Sequence, residues 1–154
     1  MQPVVEQVSA KTIAGMSLRT NNERESNPET ASIPTMWKNF FEYNVMAAIP
    51  KQIDPMVVYG VYYNYESDSM GDYDLLIGLQ TAAKEKPANL NLVEIKAGKY
   101  LVFKVLEASP TGIKDTWAGI EGYFEQVGEH ERAYTTDFEV YQGKDDISIY
   151  IAIK

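Results

Sequence analysis

Cysteine is absent from this chain of 154 residues, and histidine occurs only once. The lack of cysteine excludes disulfides and thiolate metal sites. No run of eighteen apolar residues could span a membrane, and the first ten residues lack the basic and apolar segments of a secretory signal. The length suits one domain with a core of its own. We therefore expect a single cytoplasmic domain over residues 1–154.

Basic residues are also in deficit, and the surface is correspondingly acidic. The chain has 14 lysines and arginines against 22 aspartates and glutamates, which gives a formal net charge of −8. An acidic surface repels nucleic-acid phosphate and anionic lipid, and it mildly concentrates cations. We expect no direct binding to nucleic acid and none to membranes.

Aromatic side chains, by contrast, are plentiful. Eleven Tyr accompany five Phe and two Trp. Tyr combines an apolar face with a polar tip, which suits binding pockets and interfaces. Many of these Tyr also fit ordinary strand positions, so the count by itself does not locate a site.

An apolar pattern recurs at an offset of 80 residues. The spacing i, i+4, i+7 in both copies is typical of an amphipathic helix. It predicts one helix over 32–48, with Pro34 in its first turn, and a second over 111–127 that ends at Gly128. The matching positions are Ile33 with Ile113, Trp37 with Trp117, Phe40 with Ile120, and Tyr43 with Tyr123.

Strand-like segments stand on both sides of each predicted helix. They lie at 4–8, 12–19, 57–65 and 74–80 in the first copy and at 92–96, 99–106, 133–141 and 147–153 in the second. The chain is therefore predicted to consist of two similar halves, about 1–82 and 90–154. Two such halves can pair their sheets and lay both helices on one face, an α+β arrangement that leaves a cleft between the helices. The polar segment 20–31 is predicted as a mobile loop.

The strands after the helices carry the residues that indicate a function. If the offset of 80 continues into these strands, Tyr59 corresponds to Glu139. A period of two places Glu139 and Tyr141 on one face of their strand. With Trp37 and Trp117 from the helices, this face would form an aromatic box that contains one carboxylate. A weakly hydrated organic cation stacks on such rings at about 0.5–2 kcal/mol per contact, and the carboxylate neutralises its charge.

Simpler interpretations of the same residues stay open from the pattern alone. A Glu on a strand most often faces solvent, and a Trp at helical spacing most often belongs to the core. Other chemistry has little support. His130 lies in a polar stretch without a positioned serine, and the acidic run 66–74 lacks the spacing of a calcium loop. We expect no enzyme activity, no metal and no cofactor.

Seven segments of the chain resemble a known family, and they follow one another in the same order as in that family. They are 13–17, 36–40, 59–62, 97–103, 117–124, 138–141 and 149–154. The chain resembles the GyrI-like (gyrase-inhibitor-like) effector-binding domain, which is the ligand-sensing module of many AraC-type and MerR-type multidrug regulators, in its stand-alone form. Each segment is a weak signal by itself, whereas the ordered set covers nearly the whole chain.

This resemblance implies a duplicated βαββ-type (SHS2-like) module, in which an antiparallel sheet lies under two main helices with a ligand cleft between them. It also implies that Glu139, in the segment Phe-Glu-x-Tyr, is the buried acid that meets a small amphipathic cation. The lining residues follow from the register and the resemblance together. They are Trp37, Tyr59, Trp117 and Tyr141, and Tyr123 and Tyr150 are further candidates.

These features favour a binding protein for organic cations that senses or sequesters its ligand. No helix-turn-helix motif precedes the module, so we expect operator binding to need a separate transcription partner. The chain looks like a bacterial integron or mobile-cassette protein. Two alternatives are a protein-interaction module that binds a topoisomerase and a hydrolase of small xenobiotics. Monomer and homodimer both fit, since exposed strand edges permit pairing.

Overall fold

The computed structural model describes residues 2–126, 128–143 and 145–154. Over these residues the chain forms eight strands, three α-helices and one short 3₁₀ helix. The strands are β1 (Val4–Val8), β2 (Lys11–Thr20), β3 (Val57–Tyr63), β4 (Tyr73–Gln80), β5 (Asn91–Ile95), β6 (Gly98–Lys104), β7 (Thr136–Gln142) and β8 (Ile147–Ala152). The helices are α1 (Asn22–Ser26), α2 (Ile33–Glu42) and α3 (Pro110–Gln126), and the 3₁₀ helix is Val45–Ala48. None of these helices has the length and apolar character needed to cross a membrane.

All eight strands join one antiparallel sheet, in the order β1-β6-β8-β7-β3-β4-β2-β5. The first four strands along the chain and the last four are two copies of one arrangement, in which β1 corresponds to β5, β2 to β6, β3 to β7 and β4 to β8. When each strand is exchanged for its counterpart, the order of the sheet reads the same from the opposite edge. The first strand of each copy crosses over, so that β1 pairs with β6 and β5 pairs with β2. A pseudo-twofold axis therefore passes between β3 and β7, and the predicted duplicated α+β fold is confirmed.

The two long helices lie on the same face of the sheet, as predicted. Met36 and Phe40 of α2 pack on Leu75 and Ile77 of β4. Ile120 of α3 packs in the same way on the isoleucines of β8. Each helix thus covers the last strand of its own half, and the junction between β3 and β7 runs between the two helices.

The other face of the sheet is closed by the curvature of the sheet itself. Val8 at one edge and Ile95 at the other belong to the same buried cluster, which also includes Tyr100 and Phe138. The Tyr100 hydroxyl donates to the Lys96 carbonyl at 2.6 Å, which ties β6 to the end of β5. The sheet is therefore a curled half-barrel with an apolar interior, and both long helices lie outside it.

A pair of glycines permits close approach of β2 and β4. Gly15 and Gly78 are cross-strand neighbours. A Cβ atom on Gly78 would lie 1.8 Å from the Ala14 carbonyl oxygen, and a Cβ atom on Gly15 would lie 1.9 Å from the Ile77 carbonyl oxygen. Both distances are far below van der Waals contact, so the sheet requires glycine at both positions.

The first long helix is shorter than predicted. Although the apolar pattern predicts a helix over 32–48, α2 ends at Glu42 because Asn44 adopts a left-handed conformation with φ of 50°. Asparagine tolerates this conformation better than most residues do. The second predicted helix agrees with α3 through its last described turn, and its predicted end, Val127, lies outside the described residues.

The segment 20–31, predicted as a mobile loop, instead contains α1. Asn21 caps this helix: its side-chain oxygen accepts from the Arg24 amide at 2.8 Å, and its Nδ2 donates to Asp72 at 3.0 Å. The Glu25 carboxylate accepts from two amides at the start of α2. These bonds connect the segment to the acidic run 66–74 and to α2, so part of the predicted loop is helical.

The Gly78→Ala substitution is predicted to destabilise the protein by about 3 kcal/mol, because overpacking against backbone cannot be relieved by a side-chain rotation. The free energy of unfolding, measured by urea titration with circular dichroism, checks this. Gly122→Ala is the matched control. A Cβ atom at Gly122 meets nothing within 4 Å inside α3, so this change should stabilise the protein by about 0.5–1 kcal/mol. Equal stability of Gly78→Ala and the wild type would contradict the prediction.

Candidate ligand-binding site

The carboxylate of Glu139, in the middle of β7, is buried against the helix side of the sheet. The residue is 2% exposed. Its Oε2 accepts from the Trp117 indole N–H at 2.7 Å and from the Tyr62 hydroxyl at 3.0 Å, and its Oε1 accepts from the Tyr141 hydroxyl at 2.7 Å. Glu139 therefore does not face solvent, and the simpler interpretation of this glutamate is wrong.

The charge of this carboxylate has no cation among its hydrogen-bond partners. Burial raises the pKa of Glu139, and the hydrogen bonds donated by Trp117, Tyr141 and Tyr62 lower it again, with a net result above the ordinary value. Burial, followed by the charge of Glu139, also raises the pKa of Tyr62 and of Tyr141. Both phenols therefore stay protonated as donors, and the carboxylate is stabilised by neutral groups alone.

The space for this carboxylate comes from a glycine on the neighbouring strand. Gly60 of β3 is the direct cross-strand partner of Glu139. A Cβ atom at Gly60 would lie 3.1 Å from Glu139 Oε1 and 3.6 Å from Cζ2 of Trp37. The absence of a side chain at Gly60 thus lets the acid and the Trp37 ring lie side by side on the sheet.

The rings around Glu139 obey the same pseudo-twofold symmetry as the sheet. Trp37 of α2 packs edge-on against Tyr141, with ring centroids 4.9 Å apart and an angle of 66°. Trp117 of α3 packs edge-on against Tyr62, at 5.1 Å and 67°. In each pair the helix of one half supplies the Trp and the strand of the other half supplies the Tyr. The site therefore connects the two halves across their junction.

Four of the predicted site residues lie together, as the sequence indicated. Glu139, Tyr141 and Trp117 are joined by hydrogen bonds, and Trp37 contacts Tyr141. Tyr62 completes the group and was not predicted. The signal for it lies in the segment Tyr-Gly-Val-Tyr-Tyr, since the period of two that aligns Gly60 with Glu139 also brings Tyr62 to the same face.

Tyr59 and Tyr150 lie on the opposite face of the sheet, within the half-barrel. Tyr59 pairs with Val140 rather than with Glu139, and its ring lies 6.2 Å from that of Phe138. Tyr150 stacks on Phe138 at 4.5 Å and 11°. The predicted register is wrong because the helix offset of 80 does not continue into the strands. Gly60 and Glu139, the true counterparts, are 79 positions apart, and a slip of one residue transfers every side chain to the other face.

Tyr123 of α3 lies on the same side of the sheet as Glu139, but its ring packs in a different cluster. Its ring packs at 5.4 Å on Phe103 and at 5.5 Å on Phe124, within the cluster under α3. Tyr59, Tyr150 and Tyr123 were thus predicted to line the site, but each packs on a phenylalanine elsewhere in the core.

The four rings border the region between the helices, where a cleft is predicted from the sequence, and each of these ring residues is only partly buried. Surface cavities lie elsewhere, one beside Arg132 and Tyr134 and another beside Phe103 and Leu106. Among the described residues, no cluster of three His, Asp or Glu side chains could hold a metal ion. Because Glu139 is only 2% exposed and ring donors cover both of its oxygens, a molecule that contacts the carboxylate has to displace at least one ring.

Comparison with known proteins agrees with this geometry. The Bacillus subtilis protein YobU, a proposed transcriptional regulator, is 28% identical in an alignment 153 residues long that covers 94% of this chain and 92% of YobU. The crystal structure of the integron cassette protein VCH_CASS2, from the mobile metagenome of Vibrio cholerae, matches with 34% identity and a TM-score of 0.84 over 99% of this chain and 95% of that one. The structure of SAV2435 bound to tetraphenylphosphonium matches with 20% identity and a TM-score of 0.80 over 100% of this chain and 94% of that one.

The fold is that of stand-alone GyrI-like effector-binding proteins, which confirms the resemblance found in the sequence. A family model described as "Cass2: Integron-associated effector binding protein" matches residues 5–153. The chain belongs to the Cass2 family of integron-associated effector-binding proteins.

The raised pKa of Glu139 predicts a pH dependence of stability. Because the folded protein binds this proton more tightly than the unfolded chain does, the stability from this group is fully present below the unfolded pKa and is lost as the pH rises through the folded pKa. The free energy of unfolding of the wild type, minus that of Glu139→Gln, should therefore fall as the pH rises above about 4, the ordinary pKa of a glutamate. Urea titrations over this range measure the difference.

Glu94→Gln provides the control for this titration, because the Glu94 side chain is 56% exposed. As a surface substitution it should change the free energy of unfolding by no more than about 0.5 kcal/mol. A wild-type stability that follows Glu139→Gln in parallel at every pH would show that Glu139 titrates as it does in the unfolded chain.

Proposed function

We propose that the protein binds a small amphipathic organic cation next to Glu139, between α2 and α3, and senses or sequesters it in the cytoplasm without changing it chemically. The observation that carries this proposal is the buried carboxylate with three neutral donors and no cationic partner among them. A charge in a site of low polarity is costly unless it is paired. A cation that enters the site removes this cost.

The rings around the acid determine which cations fit. Trp37, Trp117, Tyr62 and Tyr141 offer π-faces or ring edges around one negative charge. Weakly hydrated cations with delocalised charge or apolar substituents lose little solvation on entering such a cage, and they gain cation–π contacts of about 0.5–2 kcal/mol each. The cage lacks a fixed pattern of donors and acceptors for one ligand, so it favours a class of cations rather than a single compound.

The similar structure of SAV2435 holds tetraphenylphosphonium. This cation combines a central positive charge with four apolar rings, which is the chemistry that the Glu139 site would accept. At 20% identity the similarity extends to the fold alone, so tetraphenylphosphonium serves as a probe here and not as the natural ligand.

Binding has to compete with the contacts that the site already makes. A cation in contact with Glu139 displaces at least one ring from the carboxylate. The free energy of the contacts that this ring loses reduces the net free energy of binding. Several ligands of different shape can share such a site, because the displaced rings repack around each one. The regulator name carried by the relative YobU supports a role in sensing.

Hydrolysis of the bound molecule has no comparable support. General-base catalysis by Glu139 requires a water molecule and a positioned acid beside it. The groups that contact its carboxylate are two phenols of raised pKa and an indole. Incubation with tetraphenylphosphonium and related cations should therefore return each compound unchanged by mass spectrometry.

The Glu139→Gln substitution is predicted to weaken tetraphenylphosphonium binding by about 2–5 kcal/mol, which corresponds to a loss of affinity of thirtyfold or more. The physical reason is that the amide keeps the size of the side chain but removes its charge. Titration of the intrinsic Trp fluorescence measures the dissociation constant, since both Trp residues border the site.

Two controls isolate the charge effect. Glu94→Gln removes an exposed glutamate, and it should change the affinity less than twofold. Tetraphenylborate has the shape of the probe with the opposite charge, and it should not bind the wild type. Equal affinity of Glu139→Gln and the wild type for tetraphenylphosphonium would remove the role of the acid as counter-ion.

A further inference from the structure

The four rings around Glu139 form two sides that are equivalent in position but differ in how firmly they are held. The side of α3 consists of Trp117 and Tyr62, and the side of α2 consists of Trp37 and Tyr141. The axis of pseudo-symmetry passes between Gly60 and Glu139, so each side faces the same carboxylate. A difference between the two sides therefore decides where a ligand enters.

The α3 side is fixed by a hydrogen bond and by a buried support. Trp117 donates its indole N–H to Glu139 Oε2 at 2.7 Å, and its ring rests on Tyr62. Tyr62 donates to the same oxygen, and its ring lies 5.5 Å from that of Tyr73, which is only 5% exposed. Hydrogen bonds to a charged group are about twice as strong as those between neutral groups. Movement of Trp117 would break such a bond inside the protein.

On the α2 side, Tyr141 donates to Glu139 Oε1 at 2.7 Å, but the Trp ring has no bond that corresponds to that of Trp117. Among the residues that the structure describes, the Trp37 indole N–H donates no hydrogen bond, and the Cζ2 atom of the ring lies over the vacant side-chain position of Gly60. Its other face stacks on Phe41 at 6.1 Å and 23°. Phe41 is 58% exposed, so the aromatic surface continues from the buried carboxylate through Tyr141 and Trp37 to solvent.

The position equivalent to Phe41 on the other helix carries no ring. At the helix offset of 80 residues, this position is Glu121. Its carboxylate lies 3.9 Å from Nη1 of Arg132, which in turn pairs with the buried Asp137 at 2.6 Å. An apolar cation thus meets an exposed aromatic ring at α2, whereas it meets a charge pair at α3.

We infer that Trp37 is the movable ring of the site and that Phe41 is the outer ring that first receives the cation, so that the ligand enters along α2. When Trp37 turns away, Oε1 of Glu139 is uncovered beside Tyr141. Trp117 and Tyr62 keep their bonds to Oε2, so the acid stays in position while one of its oxygens becomes accessible. This inference rests on the proposed function and adds the route and the residue that controls it.

The movement of Trp37 can be measured without a ligand. The chain has two Trp residues, so incorporation of 5-fluorotryptophan gives two fluorine resonances, which Trp37→Phe and Trp117→Phe assign. Relaxation dispersion should detect microsecond-to-millisecond exchange for Trp37 and not for Trp117. Exchange at Trp117 alone, or equal behaviour of the two rings, overturns the inference.

The route can be measured by the rate of association. In stopped-flow fluorescence with tetraphenylphosphonium, Phe41→Ala should lower the association rate constant about threefold to tenfold, the size expected for loss of one ring contact. Glu121→Ala, the matched variant on α3, should change it less than twofold. A larger effect at Glu121 than at Phe41 places the entrance at α3 and contradicts the inference.

These results separate the route from the function. If Glu139→Gln binds as tightly as the wild type while Phe41→Ala still slows association, the counter-ion role fails and the route stands. If Glu139→Gln loses affinity while Phe41→Ala and Glu121→Ala behave alike, the function stands and the route fails. If the wild type does not bind the probe at all, both proposals fail.

Discussion

The burial of one negative charge at the junction of two similar halves is the constraint on which the rest of this structure depends. Glu139 is withdrawn from water at a cost that three neutral donors only partly offset. Two of these donors, Trp117 and Tyr141, come from the second half, and Tyr62 comes from the first. The acid is stable only when both halves are in place, so the site and the pairing of β3 with β7 depend on each other.

Duplication explains the site better than any single motif does. The axis that exchanges the halves passes between Gly60 and Glu139, and it exchanges Trp37 with Trp117 and Tyr62 with Tyr141 in position. A second acid at position 60 would place two like charges side by side, and a larger apolar residue would collide with the carboxylate. Glycine in one half and glutamate in the other resolve this conflict. The presence of an acid in only one half also makes the symmetric group of rings chemically asymmetric. Trp117 donates a hydrogen bond to this single carboxylate, whereas Trp37, at the equivalent position, is not among its donors.

The sequence predicted most of the fold and the chemical character of the site. The helix offset of 80 correctly paired Trp37 with Trp117, and the resemblance correctly indicated a buried Glu139. The prediction failed at Tyr59, because the connection from α3 to β7 is one residue shorter than its counterpart, and at Tyr150, because this residue pairs with Phe138 on the other face of the sheet. Helical periodicity tolerates an error of one residue, whereas a strand changes face with every residue. Tyr62 was missed for the same reason.

The sequence by itself determined the halves, their order of elements, the resemblance to GyrI-like effector-binding domains and the presence of one acid among many aromatic residues, because periodicity and residue type are local properties of the chain. Only the tertiary structure decided which aromatic rings meet that acid. The cross-strand register assigned Tyr62 to the site and Tyr59 to the half-barrel. The packing of α2 and α3 on the sheet brought Trp37 and Trp117 to the buried acid, since the position of one helix relative to another depends on contacts between residues far apart in sequence.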